Sequence, residues 1–172
     1  LSLAELTRRT GLARSTAHRM AEDLVRLNWL ERTEAGYQLG IRLFELGELV
    51  PTQRNLAETA LPYMEDLRTA TGSTVHLAVL DGTEVVYLQV LSSKQAPRMN
   101  SRRGGRLPAH ATGVGKAMLA FSPPETVQKV IDTGLRPLTT RTIATPGQLR
   151  RELGAIRASG ISYDREESNP GV

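Results

Sequence analysis

The sequence predicts an α+β chain made of a winged helix-turn-helix head, a helical linker and a mixed sheet domain. Three observations carry that expectation. Two short helical patterns meet at Gly11 and run directly into a hairpin pattern. Longer helical patterns flank Pro51, and a strand alternation over 73–80 is followed by Asp81-Gly82 and two helices with start signals.

In the head, Ser2 can cap a short helix over 3–9 that carries Leu3, Leu6 and Thr7 at helical spacing, and Gly11 breaks it. A second helix is predicted over Ser15 to Asn28, with Ala17, Met20, Leu24 and Leu27 as its apolar stripe. Its opposite face begins with Arg14, Ser15, Thr16, His18 and Arg19, and no acid follows until Glu22. A helix whose first turns are basic and hydroxylic suits insertion into a major groove, where Arg binds guanine edges and Ser or Thr binds phosphate or base. The same face also fits an ordinary hairpin with solvated arginines. Trp29 to Arg32 and Tyr37 to Leu39 then read as two short strands around Thr33-Glu34-Ala35-Gly36. A hairpin after the second helix is a wing, which favours DNA binding and adds Arg32 to the candidate contacts.

Residues 41–68 carry long helical patterns interrupted near Pro51, with Leu39-Gly40 before them and Thr71-Gly72 as a stop signal. The apolar surplus of this linker suits either a dimer interface or a core. Ser73 to Leu80 alternates, with Val75, Leu77 and Val79 on one face and Thr74, His76 and Ala78 on the other. Asp81-Gly82 reads as a hairpin turn into a second strand over Glu84 to Leu91, and Arg98 to Ser101 as a short third strand. Ser122-Pro123-Pro124-Glu125 reads as a capping box, and Thr145-Pro146-Gly147-Gln148 repeats the device for a helix ended by Gly160. Ile161 to Tyr163 reads as a final strand.

Composition narrows the function classes. The 172 residues are 40% hydrophobic and 23% charged, which fits neither a disordered chain nor a membrane protein and makes the cytoplasm the default compartment. Without cysteine there is no disulfide framework, thiolate metal site or thiol nucleophile. The net charge of +4 is unevenly placed. Residues 1–60 hold eight Arg against eight acids, yet 6–21 contain Arg8, Arg9, Arg14 and Arg19 with no acid. Residues 94–116 hold Lys94, Arg98, Arg102, Arg103, Arg106 and Lys116, again with no acid. The second cluster overlaps the small-residue run Gly105 to Ala117. A Walker loop is excluded there because His110 and Ala117 occupy the required Gly and hydroxyl positions, and Met118 breaks a dinucleotide pattern. What remains is a helix start with free amides beside cations, a cradle for an organic anion, or equally a tight helix-sheet contact. His18, His76 and His110 lack metal-ligand spacing, no Ser lies in a nucleophile elbow, and Asp164, Glu166 and Glu167 read as solvated acids. The chain is therefore expected to be no enzyme, with no cofactor and no metal.

Taken in order, the winged head with Thr16-Ala17-His18-Arg19, the helical linker, the Asp81-Gly82 hairpin and Gly104-Gly105-Arg106-Leu107-Pro108-Ala109-His110-Ala111-Thr112-Gly113-Val114-Gly115-Lys116-Ala117 resemble the IclR family of bacterial transcriptional regulators. Tyr163-Asp164-Arg165-Glu166-Glu167 and Pro170-Gly171-Val172 resemble its late motif, so the similarity runs over essentially the whole chain. The resemblance implies a DNA-binding head over 1–40, linker helices over 41–68 and a GAF-like effector domain over 69–172. It implies a double-stranded DNA operator, a small organic acid or aromatic effector, assembly as a homodimer or tetramer, and no membrane partner. The effector residues it implies are Met99, Leu107, Gly113, Val114, Asp164 and Val172. It also implies a first head helix before Leu1 and further strands and a helix after Val172. The alternative is a stand-alone GAF-like sensor or enzyme whose head only dimerises.

Overall fold

The computed structural model describes residues 1–94, 96 and 101–171, the side chain of Thr52 excepted. The chain divides into two compact units, Leu1–Asn55 and Leu56–Val172.

The first unit opens with α1 (Leu3–Thr10) and α2 (Arg14–Arg26). Ser2 caps α1 by accepting from the Glu5 amide at 3.2 Å, and Gly11 ends it at φ +69°, a conformation glycine adopts without a Cβ penalty. α2 stops at Arg26, two residues short of the expected end, because Asn28 turns to φ +59° and leads into the hairpin. Ala17 and Ala21 are buried, whereas Met20, Leu24 and Leu27 are 49%, 39% and 59% exposed, so only part of the expected stripe is covered within this chain. Met20 and Leu24 border an apolar cleft of about 120 Å³ with Leu6, Leu12 and Leu30. The wing is the antiparallel pair β1 (Leu30–Thr33) and β2 (Gly36–Leu39), in register from Leu30 opposite Leu39 to Thr33 opposite Gly36. α3 (Ile41–Glu48) follows, and α4 (Pro51–Thr71) starts on Pro51, where the missing N–H costs nothing.

In the second unit β3 (Val75–Asp81) and β4 (Glu84–Leu91) form a hairpin, and β5 (Arg106–Pro108) adds to the outer edge of β4. Asp81 pairs with Glu84, so the turn is Gly82-Thr83, one residue later than expected, with Gly82 at φ +63°. Pairing slips between Leu77 and Ala78, leaving Leu88 as a bulge. A 3₁₀ turn over Ala109–Ala111 leads into α5 (Gly113–Ala120), followed by α6 (Pro124–Thr133) and α7 (Pro146–Ser159). The core joins Val85 and Tyr87 of β4 to Leu119 of α5, Val130 of α6, and Leu149, Leu153 and Ile156 of α7. Each fully buried aliphatic side chain contributes roughly 1.5–3 kcal/mol of transfer free energy. Gly115 lets α5 pack this closely, since a Cβ there would lie 2.2 Å from the Ala109 carbonyl oxygen. The close contact at Gly115 is with the 3₁₀ turn and Thr112, whereas the expected small-residue contact was between helix and sheet.

Two local expectations are corrected, and a third falls almost wholly outside the described residues. Thr145 caps α7 as expected, accepting from the Gln148 amide at 3.3 Å, but Ser122 does not cap α6. Its hydroxyl donates to the Met118 carbonyl at 2.8 Å, one turn back in α5, and Pro123 takes the capping position. Ile161 to Tyr163 is irregular and not a strand, with Ile161 and Tyr163 both 55% exposed and the Tyr163 carbonyl engaged by Lys116. The third strand expected at Arg98 to Ser101 lies outside the described residues except for Ser101, which is in no strand. Among the described residues the third strand of this sheet is β5, which pairs with β4 on the side away from β3.

Candidate nucleic-acid interface and effector site

The amino-terminal half of α2 presents the head's candidate contacts. Ala13 occupies the N-cap and offers no side-chain acceptor, which leaves the first-turn amides to an external partner such as a phosphate. Arg14, Ser15 and His18 line an open cleft of about 640 Å³ together with Leu3. Arg19 is exposed as well, while Thr16 is half-buried. Among the described residues Arg14 and Arg19 form no ion pair, unlike Arg8 and Arg9, which both bind Glu5. Those two bonds, Arg8 first, hold the Glu5 carboxyl below its ordinary value. One acid just outside the 6–21 window thus engages two of its four arginines and lowers the local charge from +4 to +3.

Arg32, expected as a DNA contact on the wing, is also bonded within the head. Its guanidinium donates to Glu22 Oε1 at 2.6 Å and to the Tyr37 hydroxyl at 3.3 Å, and lies 5.7 Å from the Tyr37 ring centroid. Tyr37 is 6% exposed, and its hydroxyl donates to Glu22 Oε1 at 3.0 Å and meets His18 Nδ1 at 3.3 Å. These four side chains join α2 to both wing strands.

In the second unit Gly113, Val114 and Asp164, three of the expected effector residues, lie at the start of α5. Gly113 opens the helix, and a Cβ on it would lie 3.4 Å from the Asp164 amide nitrogen. Val114 and Leu107 pack against the core, with Leu107 opposite Val85 in the sheet. Met99 and Val172 lie outside the described residues. The Asp164 carboxylate ties its own turn, accepting from the Glu167 amide and the Ser168 hydroxyl, each at 2.7 Å. Thr112 caps α5 through the Gly115 amide at 3.0 Å, leaving the amides of Gly113 and Val114 facing out of the helix end.

Of the six cations counted over 94–116, Arg98 lies outside the described residues, and the other five do not form one cradle. Lys116 is fully buried, and its ammonium donates to the Tyr163 carbonyl at 2.8 Å and to Glu167 Oε1 at 2.5 Å, with Glu152 at 3.6 Å. Glu167, expected as a solvated acid, is only 4% exposed. Arg106 is held by Glu84 at 2.9 Å and by Asp81, bonds that raise its proton affinity. Lys94, Arg102 and Arg103 remain as exposed charge.

Sequence reasoning missed three polar groups in this unit. His76 Nε2 meets the Ser101 hydroxyl at 2.6 Å, and its ring tilts at 58° to Tyr87 with centroids 5.2 Å apart. Burial depresses the His76 pKa; burial first and the Asp164 charge second raise that of Tyr87. The one available signal was the alternation that puts Thr74, His76 and Ala78 on one strand face. A separate open cleft of about 520 Å³ near the start of α7, lined by Arg141, Gln148 and Arg151 among others, contains none of the expected effector residues. Among the described residues no cluster of His, Asp and Glu is arranged to hold a metal, and no helix is long and apolar enough to cross a membrane.

The family model for the bacterial transcriptional regulator IclR C-terminal domain matches residues 49–172, and that for the IclR helix-turn-helix domain matches 1–34. The chain belongs to the IclR family. Among curated relatives it is 31% identical over 175 residues to the HTH-type transcriptional regulator XynR of Escherichia coli, covering all of this chain and 69% of that protein. It is 33% identical over 177 residues to the transcriptional repressor IclR of the same organism, covering all of this chain and 65% of the repressor. The chain thus spans about two thirds of the length of these relatives. A crystal structure of an IclR homolog from Microbacterium hydrocarbonoxydans complexed with 4-hydroxybenzoate matches with a TM-score of 0.83 and 35% identity, over 92% of this chain and 67% of that one. The IclR-family relatives are transcriptional regulators and not enzymes. The mixed α/β architecture and the helix-turn-helix head agree with the expected fold class.

Proposed function

We propose that this IclR-family chain binds a double-stranded DNA operator through the start of α2 and that a small anionic organic effector, bound beside Gly113, sets its operator affinity. The observation that carries the DNA reading is the exposed Arg14 and Arg19, without an ion pair among the described residues, beside Ser15 and His18 on a helix end with no side-chain cap. Thr16 and Arg32 complete the proposed contact set from its edges. Support for the effector comes from the 4-hydroxybenzoate held by the Microbacterium homolog and from the packing of Asp164 against Gly113. In this reading Met99, Leu107, Val114 and Val172 line the same site. The anion is met by the outward amides of α5 and by the exposed Lys94, Arg102 and Arg103, since Lys116 and Arg106 are already paired.

Assembly as a homodimer or tetramer is supported by exposed apolar side chains on and between the linker helices. Phe44, Leu49 and Tyr63 are 63%, 73% and 73% exposed. A stand-alone sensor with a dimerising head is the less supported alternative, because the relatives that match the whole chain are transcriptional regulators. The deciding experiment titrates the full chain against duplexes drawn from a random pool, at several salt concentrations, with and without 4-hydroxybenzoate and a panel of aliphatic acids. Enrichment of one sequence with a steep salt dependence, and a ligand-induced change in affinity, is the expected result. Failure to prefer any sequence would favour the dimerising head.

A further inference from the structure

The hydroxyl of Tyr37 determines which nitrogen of His18 carries the proton. A phenol has one proton to give and two lone pairs to receive. Its proton goes to Glu22 Oε1, a carboxylate oxygen that can only accept, at 3.0 Å. One lone pair takes an N–H of Arg32 at 3.3 Å. The second faces His18 Nδ1 at 3.3 Å, and an oxygen with no proton left can only accept there. His18 therefore carries its proton on Nδ1. In a neutral imidazole the other nitrogen, Nε2, is then a pure acceptor. His18 is exposed and borders the open cleft with Arg14 and Ser15 at the start of α2.

We infer that His18 is a sequence-determining contact, locked by Tyr37 so that Nε2 accepts a hydrogen bond from the exocyclic amine of adenine or cytosine in the major groove. Only these bases present an amine there; guanine offers two acceptors, and thymine an acceptor and a methyl group. Tyr37 is a positioning residue that acts through His18, and Glu22 and Arg32 saturate its oxygen. The inference rests on the DNA reading above and adds what His18 distinguishes.

The test selects duplexes from a random pool. It uses the full chain as wild type, His18→Ala and Tyr37→Phe, with circular dichroism melting to verify folding. At one position in each half-site wild type is expected to select adenine or cytosine. Replacing that base by an analogue without the exocyclic amine is expected to weaken wild-type binding about five- to tenfold, and to leave His18→Ala unaffected. Tyr37→Phe removes the acceptor that holds the proton on Nδ1, so guanine becomes tolerated at that position while the salt dependence of binding is unchanged. A structural defect would instead lower affinity for every sequence. If wild type enriches a motif and His18→Ala enriches the same motif with equal stringency, the His18 inference falls and the DNA reading stands. His18 is exposed, so this comparison holds even if Tyr37→Phe fails to fold. If wild type enriches nothing, both fall.

Discussion

The two units each contain a polar cluster built around a cation and a glutamate, at opposite extremes of solvent access. In the head, Arg32 and Glu22 are 58% and 38% exposed at the side chain, and Tyr37 supplies the buried part of the network. In the second unit the Lys116 and Glu167 side chains are 0% and 5% exposed, and the pair is completed by the Tyr163 carbonyl. An exposed pair contributes little to stability, because water competes for both ions and salt screens them. Its role is directional, since it holds α2 and the wing in one arrangement. A buried pair has already lost its hydration, so deleting one partner strands the other in a medium that cannot solvate it. A glutamate and a cation thus shape a surface in one unit and support the fold in the other.

The contrast is broken most severely at Lys116. Lys116→Met is expected to cost about 3–5 kcal/mol in urea unfolding, because Glu167 stays buried and unpaired. The double variant Lys116→Met with Glu167→Leu is expected to recover much of that loss. Recovery of nothing would show that the hydrogen bond to Tyr163, and not the stranded charge, dominates. Leu153→Ala, in the apolar core next to this cluster, is expected to cost about 2–5 kcal/mol through lost burial and a residual cavity.

Smaller effects follow from pH. Burial holds both His76 and His110 below the ordinary histidine pKa; at His110 the bond from Nε2 to the Arg136 carbonyl partly opposes it. Folding therefore favours the neutral rings, and the unfolded chain binds protons more readily. The stabilising contribution is complete above about pH 6.5 and is lost as the pH falls below that value towards the folded-state pKa. Urea midpoints are expected to be flat from about pH 8 to pH 7 and to drop below pH 6.5, less so in a His76→Phe, His110→Gln double variant. At the exposed cluster, Glu22→Gln is expected to change stability by less than about 1 kcal/mol. An Arg19→Ala variant is expected to fold normally and to reduce the log-log salt slope of DNA binding by about one.

Features encoded within a few residues were legible before the structure. Ser2, Gly11, Thr145 and Gly160 mark helix ends in the chain just where they act, because a cap is a bond between residues three or four apart. Ser122 carries the same signal and misleads, because its hydroxyl satisfies a carbonyl of the preceding helix. β5 escaped notice because three residues ending in proline carry no periodicity, and only β4 makes them a strand. At the sites, Arg14, Ser15 and Arg19 could be read from one helix face. Lys116 could not: a local count shows six cations and no acid, and its partner lies 51 residues further along. Arg106 was likewise neutralised from outside the counted window, by Asp81 and Glu84. Charge seen along a sequence becomes charge at a site only after the fold has chosen its partners.

The glycines at the start of α5 bear on how such a regulator could be retuned to a new ligand. At Gly113 an added methyl would meet its nearest neighbour, the Asp164 amide nitrogen, at 3.4 Å. At Gly115 it would collide with backbone at 2.2 and 2.5 Å, and its nearest neighbour has no side-chain freedom with which to yield. A saturation library over both codons should therefore return small residues such as Ala or Ser at 113 and almost nothing but glycine at 115. Combinatorial diversity spent on the second codon would be consumed by misfolded clones, whereas diversity at the first samples the wall of the proposed pocket directly.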